Sequence, residues 1–118
     1  VRRLLEAFGV ERLVSSPAVR CAETLAPYGR YARITTETVD LLTEEEGTRD
    51  MEGVTAHVRE FAAGVTTATA LCGHRPVLPA MHEGLGLEPR SMLVGEATVL
   101  HRDASGETVA VESHKPTA

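Results

Sequence analysis

Aromatic side chains are nearly missing from this chain: of 118 residues none is Trp, two are Phe and two are Tyr. Without that bulk, a core has to be assembled from Leu, Val, Ala and Met. Cysteine is scarce as well, with only Cys21 and Cys72, too few for a disulfide scaffold. Nothing in their spacing requires a bridge, so they read as two reduced thiols in apolar segments of a cytoplasmic protein. No apolar run approaches the ~20 residues that cross a bilayer, and no signal peptide pattern is present. Positive charge is in deficit: 12 Lys and Arg face 17 Asp and Glu, a net charge of −5. That balance argues against nucleic acid and membrane surfaces, which call for a basic face. A small anionic substrate stays open, because a local pocket can be positive on an acidic protein.

Several catalytic signatures are also absent. There is no Walker loop, no G-x-S-x-G elbow and no H-E-x-x-H. A thiol phosphatase needs Arg six positions after its Cys, and those positions hold Pro27 and Leu78. Gly84-Leu85-Gly86-Leu87-Glu88-Pro89 starts like a dinucleotide fingerprint but lacks the third Gly. His82-Glu83 with His74 matches no standard metal spacing, so these read as surface polar residues.

What is there begins with one pattern that occurs twice. Leu13-Val14 leads into Ser15-Ser16, Pro17 and a helical stretch carrying Arg20. Ala68 to Cys72 leads into Gly73-His74-Arg75, Pro76 and another helical stretch. In open α/β sheets, ligands bind at the carboxyl ends of strands, where helix N-termini offer N–H groups to anions. Arg20 supplies a guanidinium fork suited to phosphate oxygens, and Arg75 a second cation. His74 is able to neutralise phosphoryl charge or accept a proton. Against this, a lone Arg is usually a solvated surface residue and a lone His a packing residue. Glu44, with Glu45 beside it, is the choice for a general acid, although an acidic run is more often a solvated face.

The remaining sequence fills in an α/β order. Arg2 to Phe8 has helical spacing and is closed by Gly9. Glu11 to Ser15 reads as a strand, Ser16 as an N-cap with Pro17 at the first helical position, and Ala18 to Leu25 as a helix that stops at Pro27-Tyr28-Gly29. Tyr31 to Thr36 is predicted as a strand and Val39 to Asp50 as an acidic loop. Met51, Val54, Val58, Phe61, Ala62 and Val65 recur at helical spacing. Thr66 to Cys72 is a strand, Pro76 to Gly84 a helix, and Glu96 to Arg102 with Thr108 to Ser113 a hairpin turning at Asp103-Ala104-Ser105-Gly106. The tail from His114 is expected to fray. Alternation of this kind specifies a largely parallel sheet with helices on both faces.

Taken together, Ser15-Ser16-Pro17-x-x-Arg20-x-x-x-Thr24, Leu42-x-Glu44 and Cys72-Gly73-His74 resemble the histidine phosphatase (phosphoglycerate-mutase-like) superfamily. The likeness is greatest to its small single-domain branch, such as the phosphatase half of actinobacterial proteins that carry a Nudix domain in front. The resemblance implies a three-layer αβα fold and a hydrolase that removes phosphate from a nucleotide or sugar phosphate, through a phosphohistidine and without a cofactor or metal. It implies that Arg20 and His74 hold phosphoryl oxygens with Gly73 and Arg75 beside them, that Ser16 lines the pocket, and that Glu44 protonates the leaving oxygen. A Nudix domain in cis is the partner it implies.

The family's nucleophile sits in an Arg-His-Gly type motif on the first, central strand. Here His57, His74, His82, His101 and His114 follow Ala, Gly, Met, Leu and Ser, so no Arg-His pair exists. The expectation is that residues 1–118 form one partial domain whose first strand lies upstream, and that this chain alone forms no phosphohistidine. The rival expectation is a phosphate-binding or interaction module of the same fold without catalysis.

Overall fold

The computed structural model describes residues 1–115; the end of the tail predicted to fray, residues 116–118, lies outside them. Eleven segments alternate along the chain. They are α1 (Arg2–Ala7), β1 (Arg12–Ser15), α2 (Val19–Ala32), β2 (Glu37–Thr38), a 3₁₀ turn (Asp40–Leu42), α3 (Glu44–Arg49), α4 (Met51–Gly64), β3 (Thr69–Cys72), α5 (Leu78–Gly84), β4 (Ala97–Arg102) and β5 (Thr108–His114). The chain is α/β, with a parallel sheet in the order β2-β1-β3. A separate antiparallel pair, β4-β5, closes the chain. No helix is long and apolar enough to cross a membrane among the described residues.

Two apolar clusters organise the packing. Leu5, Val10, Leu13, Leu25 and Tyr28 form one, joined by Ala70 and Cys72. Leu42, Val54, Val58, Val77, Ala80 and Met81 form the other, joined by Leu71. Successive strand residues point to opposite faces, so the alternation of Ala70, Leu71 and Cys72 between the clusters follows from the pleat. Leu13, Val54, Val58 and Val77 are at most 1% exposed, and each contributes about 1.5–3 kcal/mol through burial.

Several expectations need correction. The helix predicted to stop before Pro27 runs through it to Ala32. Pro27 lies on the exposed side, while Leu25 and Tyr28 are buried and Tyr28 Oη donates to the Val10 carbonyl at 2.6 Å. That anchoring outweighs the loss of one intrahelical hydrogen bond. The helix ends where Arg33 turns left-handed, with φ 59° and ψ 45°.

The strand predicted over Tyr31 to Thr36 is displaced, because Tyr31 and Ala32 complete α2 and only Glu37–Thr38 pairs with β1. The acidic loop predicted over Val39 to Asp50 is folded. Thr43 caps α3 by accepting the Glu46 N–H at 3.1 Å, which puts three carboxylates in the first turn, where the helix dipole favours them. Finally, Ser16 is not a helix cap; Ala18 holds that position. The hairpin is found as predicted, but β5 extends through His114, where fraying was expected.

Phe8 and His82 tie the hairpin to the body. Phe8 meets the rings of His101 and His114 at 5.7 and 6.0 Å. His82, read from sequence as a surface residue, is buried at 4% exposure. Its Nδ1 donates to the Leu78 carbonyl at 2.8 Å and its Nε2 lies 3.3 Å from Thr98 Oγ1. At the base of the hairpin Glu96 accepts from the Leu93 N–H at 2.9 Å and from Ser113 Oγ at 2.7 Å, and pairs with the Arg90 guanidinium. The Leu93 N–H, the Ser113 hydroxyl and Arg90 together pull the Glu96 carboxyl down to about 2.

Candidate functional site

Because β1, β2 and β3 run parallel, the segments that follow them leave the sheet at one end. Ser16 follows β1, the 3₁₀ turn and α3 follow β2, and Gly73-His74 follows β3. The three exits are stitched together by backbone bonds: Ser16 N–H donates to the Cys72 carbonyl at 3.1 Å and Val39 N–H to the Ser15 carbonyl at 2.9 Å.

At this end Ser16 and His74, 58 residues apart in sequence, meet directly. Ser16 Oγ lies 3.0 Å from His74 Nε2. Ser16 is fully buried and His74 half-buried. The hydroxyl oxygen also accepts the Ala18 N–H at 3.2 Å. Farther along the loop the His74 carbonyl accepts from Val77 and Leu78 N–H at 2.8 and 3.0 Å. Gly73 lies in close approach to α5: a Cβ there would stand 2.6 Å from Met81 Sδ, so a larger residue needs the Met81 side chain to move. The same point lies 4.0 Å from the Leu42 carbonyl, so the turn that leads into Glu44 passes beside the Gly73-His74 loop.

Of the residues selected from sequence, then, Ser16, Gly73 and His74 are brought together. Arg20 in the first turn of α2 and Arg75 after His74 are exposed, and neither forms an ion pair among the described residues. Glu44 is exposed at the start of α3 and its side chain bonds to none of the others among the described residues. No protein-family model and no curated protein sequence matches this chain.

The sequence reading took Cys21 and Cys72 as plain reduced thiols and gave them no place in this site. Cys21, one residue after Arg20, places Sγ 3.8 Å from His74 Nε2. Cys72 lies opposite Ser15 in register. The neighbouring Cys72 thiol, with smaller contributions from the Ser15 and Ser16 hydroxyls, lowers the Cys21 thiol to about 7. Cys72 is held well above its ordinary value by the same partner and by burial. The one signal in sequence was adjacency: each Cys neighbours a residue already chosen, Arg20 or Gly73.

A cleft of about 210 Å³ opens elsewhere, walled by Val14, Leu42, Val58 and Leu71. It contains none of the predicted residues. The cation at its rim, Arg12, is already held by both Glu37 oxygens at 2.6 and 2.8 Å and lies 4.8 Å over the Phe61 ring. An engaged cation over apolar walls offers little to an anion, so the Ser16–His74 end of the sheet is the stronger candidate.

Proposed function

We propose that this chain belongs to a phosphatase for a small phosphorylated compound, a nucleotide or sugar phosphate, working through a phosphohistidine. The observation that carries the reading is the 3.0 Å contact of Ser16 with His74 at the shared carboxyl end of parallel strands. In this reading His74 and Arg20 hold the phosphoryl oxygens, with Arg75 and the Gly73 backbone beside them, and Ser16 orients the imidazole. Cationic donors there stabilise charge on the transferring group. Glu44, at the start of α3, protonates the leaving oxygen.

The nucleophilic histidine is not one of the five in this chain, since none follows an Arg. We place it on a strand that pairs with the outer edge of β3 and completes a three-layer αβα domain. Two observations support that edge. β3 pairs only with β1 among the described residues, and its apolar Ala70-Leu71-Cys72 run is only half-buried, whereas parallel strands are normally covered on both faces. A Nudix domain in cis would fit an enzyme that further dephosphorylates the product of pyrophosphate cleavage.

The test has two steps. Orthovanadate binding is titrated calorimetrically, and Arg20→Ala and His74→Ala are each expected to weaken it about 10- to 100-fold, the worth of one charge-assisted hydrogen bond. Unchanged affinity would refute the site. An apolar peptide ending in Arg-His-Gly is then added with p-nitrophenyl phosphate. Hydrolysis and a phosphorylated peptide histidine support the enzyme. Vanadate binding without either favours the second reading, a phosphate-binding module, which rests on the missing Arg-His pair.

A further inference from the structure

The imidazole of His74 has two nitrogens, and the fold treats them differently. Both hydrogen-bonding contacts of this ring among the described residues fall on Nε2, with Ser16 Oγ at 3.0 Å and Cys21 Sγ at 3.8 Å. Ser16 is 0% exposed and Cys21 3%, so Nε2 faces the interior. Nδ1 has no protein partner among the described residues, and no buried side-chain nitrogen or oxygen among them is left without one. Nδ1 therefore reaches solvent. We infer, on the reading of this sheet end as a phosphoryl site, that His74 meets the anion through Nδ1. Ser16 and Cys21 are then positioning residues that hold Nε2 inward.

The contact is fixed at both ends. Ser16 leaves β1 where its N–H donates to the Cys72 carbonyl at 3.1 Å, and its hydroxyl oxygen accepts the Ala18 N–H. Cys21 is held in the first turn of α2. On the other side, the His74 carbonyl accepts from Val77 and Leu78 N–H. A tetrahedral oxyanion cannot enter between Nε2 and two buried side chains that already touch it. The N–H directions of an imidazole diverge, so an anion that bonds to one nitrogen does not bond to the other. Which nitrogen is protonated is set by the hydrogen bond the other makes. With Nε2 committed to a hydroxyl and a thiol, a proton on Nδ1 is the one that an incoming phosphoryl oxygen can accept. Cys21 acts here as a hydrogen-bonding neighbour and not as a nucleophile.

The protein is labelled with nitrogen-15 at histidine and followed by long-range proton–nitrogen correlation, which reports Nδ1 and Nε2 separately. The His74 signals are those missing from His74→Ala. Without ligand, Ser16→Ala and Cys21→Ala are expected to move Nε2 more than Nδ1, and Cys21→Ser to restore part of the change. Orthovanadate is expected to move Nδ1 more than Nε2 in the parent protein. Its affinity, measured calorimetrically, should fall about tenfold in Ser16→Ala, the worth of one hydrogen bond. The vanadate arm on the parent protein needs no variant, so it decides should Ser16→Ala not fold. Binding heat with Nε2 moving more than Nδ1 would overturn the inference and leave the phosphoryl site standing. No binding heat would overturn the phosphoryl site and the inference with it. Equal movement of both nitrogens in the ligand-free variants would overturn the positioning roles.

Discussion

At the scale of single residues, hydrogen-bond direction decides more than residue type. Cys21 and Cys72 have the same side chain, yet one is lowered to about 7 and the other is raised, because one accepts and the other donates. The consequence for stability changes sign with pH. Cys21, lowered from an ordinary 9.0 to about 7, contributes stability that is complete above pH 9 and is lost as pH falls through 7. Cys72, raised from 9.0, contributes stability present below pH 9 and lost as pH climbs further. The difference in unfolding free energy between the parent protein and the Cys21→Ser, Cys72→Ser double variant should therefore rise from pH 7, peak near 9 and decline above it. Urea titrations under reducing conditions at half-unit intervals check this, and a flat difference would contradict the thiol arrangement. Sequence alone could not show this pairing. Cys21 and Cys72 come to the same end of the sheet only through the β1–β3 register, and no local pattern encodes a register between distant strands.

At the scale of elements, legibility followed periodicity. α4 was plain because Met51, Val54, Val58 and Ala62 repeat at helical spacing over 14 residues, and the hairpin because two apolar runs flank Asp103 to Gly106. α2 and α3 were misread for opposite reasons. Pro27 signals a break that the buried Leu25–Tyr28 stripe overrides. Glu44 to Glu46 looked like solvated loop, although the Thr43-to-Glu46 cap spacing was there to be seen. Pro27→Ala restores an N–H inside a helix whose geometry already exists, and should raise stability by about 1 kcal/mol or more. A rise in urea midpoint at constant slope measures it, and a fall would mean that the proline ring itself packs productively. The hairpin base makes an acid-side prediction. Glu96, lowered from 4.5 to about 2, supports the fold fully above pH 4.5 and loses that support as pH falls towards 2. Glu96→Gln should lower stability at pH 6 and converge with the parent near pH 2, followed by circular dichroism.

At the scale of the whole molecule, the general α/β order was readable from the alternation of segments, and the parallel β2-β1-β3 sheet follows it. The candidate site was legible as far as Ser16, Gly73 and His74, because strand-to-loop exits are local. How Arg20, Arg75 and Glu44 stand to one another was not, because all three are exposed and no packing contact fixes one against another among the described residues. If the outer edge of β3 receives a further strand, a peptide for that strand binds only the folded chain. At a hundredfold excess over its dissociation constant it should then raise the unfolding free energy by about 2.7 kcal/mol. A thermal melt with and without peptide reads this as an upward shift in Tm, and no shift would argue against the edge as its seat.

The 58-residue span between Ser16 and His74 also has a kinetic meaning. Parallel pairing of β1 with β3 closes a loop that contains α2, β2, α3 and α4, and such distant contacts are made late, after the entropy of the intervening chain has been lost. The two thiols and the imidazole come together in that same closure. A newly made chain that has not yet paired its strands therefore exposes both cysteines as ordinary, separated thiols. The time at which they become protected from alkylation during refolding is a direct clock for completion of the sheet.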